Sequence, residues 1–273
     1  MSSDPLGALS GRVIVTTRAA DQSGELIDRL TRAGARITFL PMVRFVEATD
    51  RSALDRAIAG LDRFTWVVYT SANAVRFFLD RCRSLGYWPL PAGLRFAVVG
   101  LATQAALESA GLRATFVPSQ ASGASLATEL AAFSYGKLAA ERVLIPRSDR
   151  ADDELPAALK AAGADVTAVV AYSTVGPESL DDGALASLRR GEADAVMFFS
   201  PSAVEEFAKA LGTEGLRGLR DRVAFAAIGP TTAAAIGRAG IPVAVESPSA
   251  TTESLVAALE SYFVRQPAGK ERV

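Results

Sequence analysis

Short apolar runs alternate with amphipathic segments along most of the chain. Runs that are apolar on both faces are typical of buried parallel strands, and their alternation with helical segments predicts βαβ units. We therefore expect strands at VIVT (13–16), WVVYT (66–70), FAVVG (96–100), TFVP (115–118), RVLIP (142–146), TAVVAY (167–172), DAVMFFS (194–200), AFAAIG (224–229) and PVAVE (242–246).

The same pattern occurs twice. A shift of 129 residues places YTSANAV (69–75) on FFSPSAV (198–204), each a strand that runs into a helix through Ser-x-x-Ala-Val. Over 95–126 against 224–255, 11 of 32 positions are identical, and the matches include Gly, Phe and Thr as well as alanines. The repeat predicts two similar doubly wound α/β domains, each with a parallel sheet of about five strands.

Two extended segments interrupt this alternation. FLPMVRFVE (39–47) and VTAVVAYSTV (166–175) are longer than one sheet strand requires, and each follows the Gly-Ala that ends a helix. The simplest interpretation is that the chain crosses between the domains there. Composition leaves open whether each domain is contiguous or the two exchange segments.

Composition narrows the class of protein. The net charge of −1 gives no basic field that would attract nucleic acid. The single cysteine excludes an intrachain disulfide and suits a reducing compartment. The first residues lack the basic and apolar regions of a secretory signal, and no apolar run reaches the ~18 residues of a membrane helix. We expect a cytoplasmic protein that binds neither nucleic acid nor membrane.

The 273 residues include no histidine. The chain therefore lacks the commonest general base and the commonest metal ligand, and a Ser-His-Asp or Cys-His site within one chain is excluded. With one cysteine as well, zinc and transition-metal sites are nearly excluded. Chemistry has to come from Tyr, Ser, Thr, Lys, Arg, carboxylates or backbone amides.

The predicted strand-to-helix junctions are rich in hydroxyl groups and glycine. In parallel α/β sheets, ligands bind beyond the carboxyl ends of the strands, where helix N-termini point. Helix capping is the simpler explanation for any single hydroxyl. Together, the junctions predict a site for a large ligand with several anionic groups. The absence of GxxxxGK[ST], and of GxGxxG after the first strand, disfavours nucleotides.

Several of these segments together resemble the uroporphyrinogen-III synthase family. They are FFSPSAVEEF, FAAIGPTTAAAI, VVAYSTV and ATTESLVAAL, and the first half agrees through Val15-Thr16-Thr17-Arg18, Leu40-Pro41, YTSANAV and AVVGLAT. IGPTTA is the most specific piece, and the resemblance extends from about Arg12 to Phe263.

The resemblance implies a lyase reaction. Such enzymes close linear hydroxymethylbilane with inversion of ring D and loss of water, giving uroporphyrinogen III without a metal or an organic cofactor. It also implies two flavodoxin-like domains that are joined by a two-stranded linker, with the ligand cleft between them. By analogy, we expect residues 1–41 plus 176–265 in domain 1, 48–168 in an inserted domain 2, linker strands at 42–47 and 169–175, a tail at 266–273, and a monomer.

The resemblance also suggests site residues. Tyr172 matches the tyrosine that the family places at the cleft, and a phenol with a pKa near ~10 can donate a proton to the departing hydroxyl. The other interpretation of Tyr172 is an aromatic side chain that fills the hinge. Predicted substrate-binding residues are the hydroxyl and guanidinium groups at the junctions: Arg18, Ser71, Thr103, Arg147, Ser200, Thr231 and Thr232.

Two other classes of function stay open on the sequence. A synthase-like protein with weak catalysis could bind tetrapyrroles and regulate, although no output domain is recognisable. An oxidoreductase of flavodoxin type is disfavoured by the missing phosphate loop and nucleotide fingerprints.

Overall fold

The structure, a computed structural model, describes residues 7–120, 122–134 and 137–266. The strands are β1 (Val13–Thr16), β2 (Arg36–Phe39), β3 (Arg44–Glu47), β4 (Trp66–Tyr69), β5 (Arg95–Val98), β6 (Arg142–Ser148), β7 (Asp165–Val175), β8 (Ala195–Phe198), β9 (Ala224–Ala227) and β10 (Val245–Glu246). The helices are α1 (Gly24–Arg32), α2 (Ser52–Ala59), α3 (Ala72–Ser84), α4 (Leu101–Ser109), α5 (Gly123–Phe133), α6 (Glu154–Ala161), α7 (Asp182–Arg189), α8 (Pro201–Leu219), α9 (Pro230–Arg238) and α10 (Thr252–Arg265).

The chain divides into two compact units, each built on one sheet. The first unit combines the described residues up to Arg44 with those from Gly176 onward, and its sheet has the order β10-β9-β8-β1-β2. The second unit is the segment Phe45–Val175, and its sheet has the order β3-β7-β6-β4-β5. Neighbouring strands pair in parallel from β10 to β2 and from β7 to β5. The predicted fold class, two parallel-sheet α/β domains, is confirmed.

The two copies of the repeat contribute to both sheets. Strands β1, β2, β4 and β5 begin 129 residues before β6, β7, β8 and β9, respectively. The first unit contains β1 and β2 of the first copy with β8 and β9 of the second, and the second unit contains the remaining four. The equivalent strands follow the same order in both sheets. The duplicated halves therefore exchange segments, which is the question that composition left open.

Each sheet is covered on both faces, which explains why its inner strands are largely apolar. In β8, Val196 and Phe198 face a cluster formed with α7, α8 and α9, whereas Ala195 and Met197 face a cluster formed with α1 and α10. In the second sheet, one face of β4 packs against α2, α3 and α4, and the other packs against α5 and α6. Every residue of β1, β4, β8 and β9 is buried.

Two predicted strands are much shorter than expected, and one predicted extended segment is divided. TFVP contributes only the bridge between Phe116 and Ala97, and PVAVE contributes only Val245–Glu246. The run 39–47 is divided into the end of β2 and β3, with four residues between them that include Pro41. Proline lacks the N–H that a strand ladder needs, and Pro118 and Pro242 stand in the other two runs as well.

The chain passes between the units at Arg44–Phe45 and at Val175–Gly176. The segments predicted as linker strands, 42–47 and 169–175, include β3 and the second half of β7, which are neighbours in the second sheet. The predicted tail lies outside the described residues apart from Gln266. Within the described part of the chain, no helix is long and apolar enough to span a bilayer.

Candidate functional site

The predicted site residues collect at the carboxyl edge of their own sheet. In the first unit, Arg18 follows β1, Ser200 follows β8 and Thr231-Thr232 follow β9, and these three strands are neighbours. In the second unit, the corresponding groups lie on or after four neighbouring strands, namely Tyr172 on β7, Arg147 on β6, Ser71 after β4 and Thr103 after β5. Parallel pairing therefore brings each set to a single sheet edge.

Ser71 and Ser200 are equivalent helix caps. The backbone N–H of Ala74 donates to Ser71 Oγ at 3.1 Å, and that of Ala203 donates to Ser200 Oγ at 3.2 Å. Both serines have extended backbone angles, as N-cap residues do. Capping occupies only one lone pair of each hydroxyl, so each O–H proton stays available for another acceptor.

Arg18 and Arg147 stand 129 residues apart but have different surroundings. The Arg147 guanidinium pairs with Asp153 Oδ1 at 2.7 Å and also donates to the Asp152 carbonyl at 2.8 Å. The Arg18 guanidinium lies 4.1 Å from the centre of the Phe199 ring, and among the described residues no carboxylate lies within 4.0 Å of it. Of these two arginines, Arg147 therefore forms an ion pair with a described carboxylate, and Arg18 does not.

Partial burial of Arg18 lowers the pKa of its guanidinium, and attraction to the more distant Glu25 only partly offsets this. The group remains charged at neutral pH, because the pKa of arginine lies far above 7. A half-buried cation that stacks on an aromatic ring and has no anionic partner is well placed to bind an incoming carboxylate.

The threonines differ in exposure. Thr103 and Thr232 lie in the first turns of α4 and α9 and are only 3% and 1% exposed, whereas Thr231 is exposed. The helices begin after Gly100 and Gly229, and Gly100 has a φ of 82° that favours glycine. Of these three hydroxyls, Thr231 has the most direct access to a ligand.

Tyr172 lies on β7 and is 6% exposed. Its phenol oxygen is 3.1 Å from Ser71 Oγ, and its ring stacks on Phe77 and meets the edge of Phe45. Burial raises the pKa of the phenol, the negative charge of Asp149 raises it further, and hydrogen bonding to Ser71 and Ser148 lowers it in part. The phenol is therefore protonated at neutral pH and can act as a donor.

Sequence reasoning missed several residues around these groups. Phe199 supplies the ring under Arg18, Phe45 and Phe77 pack on Tyr172, and Asp149 contacts the backbone of β7. Phe199 immediately precedes Ser200 in a junction that the repeat had already marked, so its position was a usable signal. The described residues contain no cluster of three or more His, Cys, Asp or Glu side chains suited to a metal ion.

Comparison with known proteins gives the family. The family model of uroporphyrinogen-III synthase HemD matches residues 24–257 of this chain. The chain belongs to the uroporphyrinogen-III synthase family. It is 31% identical over 261 residues to the uroporphyrinogen-III synthase of Synechococcus elongatus, covering 93% of this chain and 96% of that protein. It is also 31% identical over 254 residues to a putative uroporphyrinogen-III synthase of Methanothermobacter thermautotrophicus, covering 90% and 96%.

Solved structures show the same fold. A mutant uroporphyrinogen III synthase from the extremely thermophilic bacterium Thermus thermophilus aligns with a TM-score of 0.62 at 18% identity, covering 93% of this chain and all of that one. The resemblance stated from the sequence is thus confirmed at the level of family and of fold. Relatives with this name are lyases of tetrapyrrole biosynthesis, and the comparisons do not favour a protein that only binds tetrapyrroles.

Proposed function

We propose that this chain cyclises hydroxymethylbilane to uroporphyrinogen III, with inversion of ring D and loss of water. Family membership over residues 24–257 is the observation on which this proposal chiefly rests. The structure supports it with two sheet edges that present hydroxyl groups, helix N-termini and an unpaired guanidinium. These groups suit a linear tetrapyrrole with eight carboxylates.

The task of the protein in this reaction is mainly orientation. Loss of the terminal hydroxyl gives a reactive cation that closes without inversion when it is left alone in water. Holding the chain so that ring D is attacked at its substituted carbon makes the inverted closure the faster one. Each charge-assisted hydrogen bond to a carboxylate contributes roughly 1.5–3 kcal/mol, so a few contacts are enough to select one folded form of the bilane.

We assign Tyr172 to protonation of the departing hydroxyl. Its phenol is held by Ser71 Oγ at 3.1 Å and between Phe45 and Phe77. Ser71 Oγ already accepts from the Ala74 N–H and can donate its own proton to the phenol oxygen. In that arrangement, the bond to Ser71 does not use the phenol proton, and the Ser71 hydroxyl stabilises the negative charge that develops when the proton passes to the substrate.

We assign carboxylate binding to both sheet edges. In the first unit, Arg18 is the strongest candidate, with Ser200, Thr231 and Thr232 at the starts of α8 and α9. In the second unit, Ser71, Thr103 and Arg147 complete the proposed set, although Arg147 has to be shared with Asp153. A monomeric cytoplasmic enzyme that needs no cofactor, with 42–47 and 169–175 as linker strands, is part of the same proposal.

The test starts from porphobilinogen, with a deaminase that produces hydroxymethylbilane in the assay. Porphyrin isomers I and III are then separated and quantified. We expect isomer III to dominate with the wild-type chain, and Tyr172→Phe to lower its formation while isomer I rises from released substrate. General acid catalysis is worth about 10²–10⁴-fold, and unaided loss of hydroxide reduces the effect.

Tyr87→Phe is a matched control, because that tyrosine is 42% exposed and lies in the same unit. It should leave the isomer ratio unchanged. Formation of isomer I alone with the wild-type chain would refute the synthase function. Full isomer III formation by a folded Tyr172→Phe variant would instead refute the acid role alone and favour the interpretation of Tyr172 as a packing residue.

A further inference from the structure

A β-bulge in β7 lies next to Tyr172. Along β6 and β7 the register pairs Arg147 with Val170, but the next residue of β6, Ser148, pairs with Tyr172. One residue of β6 thus faces two residues of β7, and Ala171 is the extra one. Bulges of this kind turn the following side chains to the other face of a sheet.

The bulge decides which face of the sheet Tyr172 occupies. Before the bulge, Val166 packs on the α5 and α6 face, while Val169 and the bulged residue Ala171 pack on the α2 and α3 face. Strict alternation would send Tyr172 to the face of Val166. Tyr172 instead belongs to the same cluster as Ala171, on the face where α3 begins at its cap. The contact with Ser71 depends on this change of face.

Asp149 joins β6 to β7 on the C-terminal side of the bulge. Its backbone N–H donates to the Tyr172 carbonyl at 3.1 Å. Its carboxylate Oδ1 accepts from the Thr174 N–H at 2.9 Å and from the Ser148 hydroxyl at 3.0 Å. The side chain and the main chain of this one residue therefore hold the backbone on both sides of Ser173.

We propose that Asp149 is a positioning residue for Tyr172, and that its carboxylate holds the bulged backbone of β7 so that the phenol reaches Ser71. The inference rests on the proposed role of Tyr172 in the reaction. It assigns Asp149 no contact with substrate.

The charge of Asp149 has to be separated from its geometry. The carboxylate also raises the pKa of Tyr172, so an electrostatic effect is the competing explanation. Asp149→Asn removes the charge and keeps an oxygen that accepts from Thr174 and Ser148. Asp149→Glu keeps the charge and moves the oxygens by one methylene. Asp149→Ala removes both.

The experiment measures kcat, KM and the ratio of isomers III to I for these three variants. We expect Asp149→Ala and Asp149→Glu to lower kcat for isomer III by about ten- to a hundredfold, the scale of a misplaced catalytic group, with KM changed less than about threefold. Asp149→Asn should stay within about threefold of wild type. Asp62→Ala is the control, because Asp62 is an exposed carboxylate of the same unit.

Three results would overturn the inference. The first is a wild-type kcat for Asp149→Ala, and the second is an equal loss for Asp149→Asn and Asp149→Ala. The third is an Asp149→Ala loss that is as large in a Tyr172→Phe background as in the wild-type chain, since Asp149 would then act on something other than Tyr172.

A measurement without activity separates this inference from the proposed function. The interaction between Ser71 and Tyr172 can be read from unfolding of Ser71→Ala, Tyr172→Phe and the double variant. If Asp149 positions Tyr172, Asp149→Ala abolishes this interaction, whereas Asp149→Asn preserves it. Should Tyr172→Phe keep full isomer III formation, the acid role fails, and this unfolding result alone decides the positioning: an interaction that survives in Asp149→Ala refutes it.

Discussion

The repeat provides an internal reference for the contact between Ser71 and Tyr172. Ser71 and Ser200 cap equivalent helices with nearly the same geometry, at 3.1 and 3.2 Å. Ser71 has a second partner, the Tyr172 phenol at 3.1 Å. Ser71→Ala and Ser200→Ala should therefore lower the free energy of unfolding by different amounts, and the difference measures the bond between Ser71 and Tyr172.

The expected magnitudes follow from the two contacts. Loss of a serine cap costs roughly 1 kcal/mol, and loss of one net hydrogen bond costs roughly 1 kcal/mol. Ser200→Ala should therefore lower the free energy of unfolding by about 1 kcal/mol and Ser71→Ala by about 2 kcal/mol. Tyr172→Phe should cost about 1 kcal/mol. The double variant Ser71→Ala/Tyr172→Phe should cost about 2 kcal/mol instead of about 3, a coupling of about 1 kcal/mol.

The assay is urea unfolding. Both tryptophans of the chain, Trp66 and Trp88, lie in the second unit together with Ser71 and Tyr172, so their fluorescence reports that unit. Ser200 lies in the first unit, and its variant is followed by far-UV circular dichroism. The effects of Ser200→Ala and Tyr172→Phe on the free energy of unfolding should be additive. A coupling below ~0.3 kcal/mol between Ser71 and Tyr172 would refute the reasoning, because the effects of mutations at independent sites deviate from additivity by about that much.

Three further outcomes are expected. Arg18→Met should weaken binding of uroporphyrinogen III by roughly 1.5–3 kcal/mol in a calorimetric titration. Arg147→Met should cost less than half as much, because a ligand must compete there with Asp153, and equal losses would contradict the assignment. Gly100→Ala should lower the free energy of unfolding in urea by roughly 1–3 kcal/mol, because Gly100 has a φ of 82°. Gly229→Ala should leave it nearly unchanged, because the backbone of Gly229 is extended. Similar unfolding midpoints for the two variants would argue against strain at Gly100. Burial raises the pKa of the Cys82 thiol to about 12. Alkylation of Cys82 at pH 8, followed by mass spectrometry, should therefore be about a thousandfold slower than alkylation of glutathione. A comparable rate would contradict the burial.

The sequence was informative where a local pattern determines the structure. Runs such as VIVT and DAVMFFS predicted strands correctly, because both faces of each sheet are covered and the side chains of these strands are buried on both sides. The two Ser-x-x-Ala-Val junctions predicted helix starts correctly, because a capping hydrogen bond involves only the serine and the next three residues. The fold class and the family followed from such local signals and from their spacing.

Features that depend on residues distant in sequence were not predictable in this way. The exchange of segments between the repeat copies is decided by pairings such as Ile14 with Ala195. The bulge at Ala171 is a shift of one residue between two strands and leaves no compositional signal. Tyr172 entered only through family resemblance, and its neighbour Ser71 is 101 positions away along the chain. The assignments of the site residues to substrate stay predictions.

The exchange of segments has a consequence for biosynthesis. The partner of β1 is β8, and Ile14 pairs with a residue that the ribosome adds 181 positions later. At about 5–20 residues per second, the strands β1 and β2 wait roughly 10–35 s for β8, while the second unit, which is contiguous, can complete its sheet first. The N-terminal strands are thus made first, but their sheet is completed only after β8, β9 and β10 have been made. During that interval Val13, Ile14 and Val15 lack the partner strand β8, and apolar surface that is exposed in this way makes a nascent chain prone to aggregation.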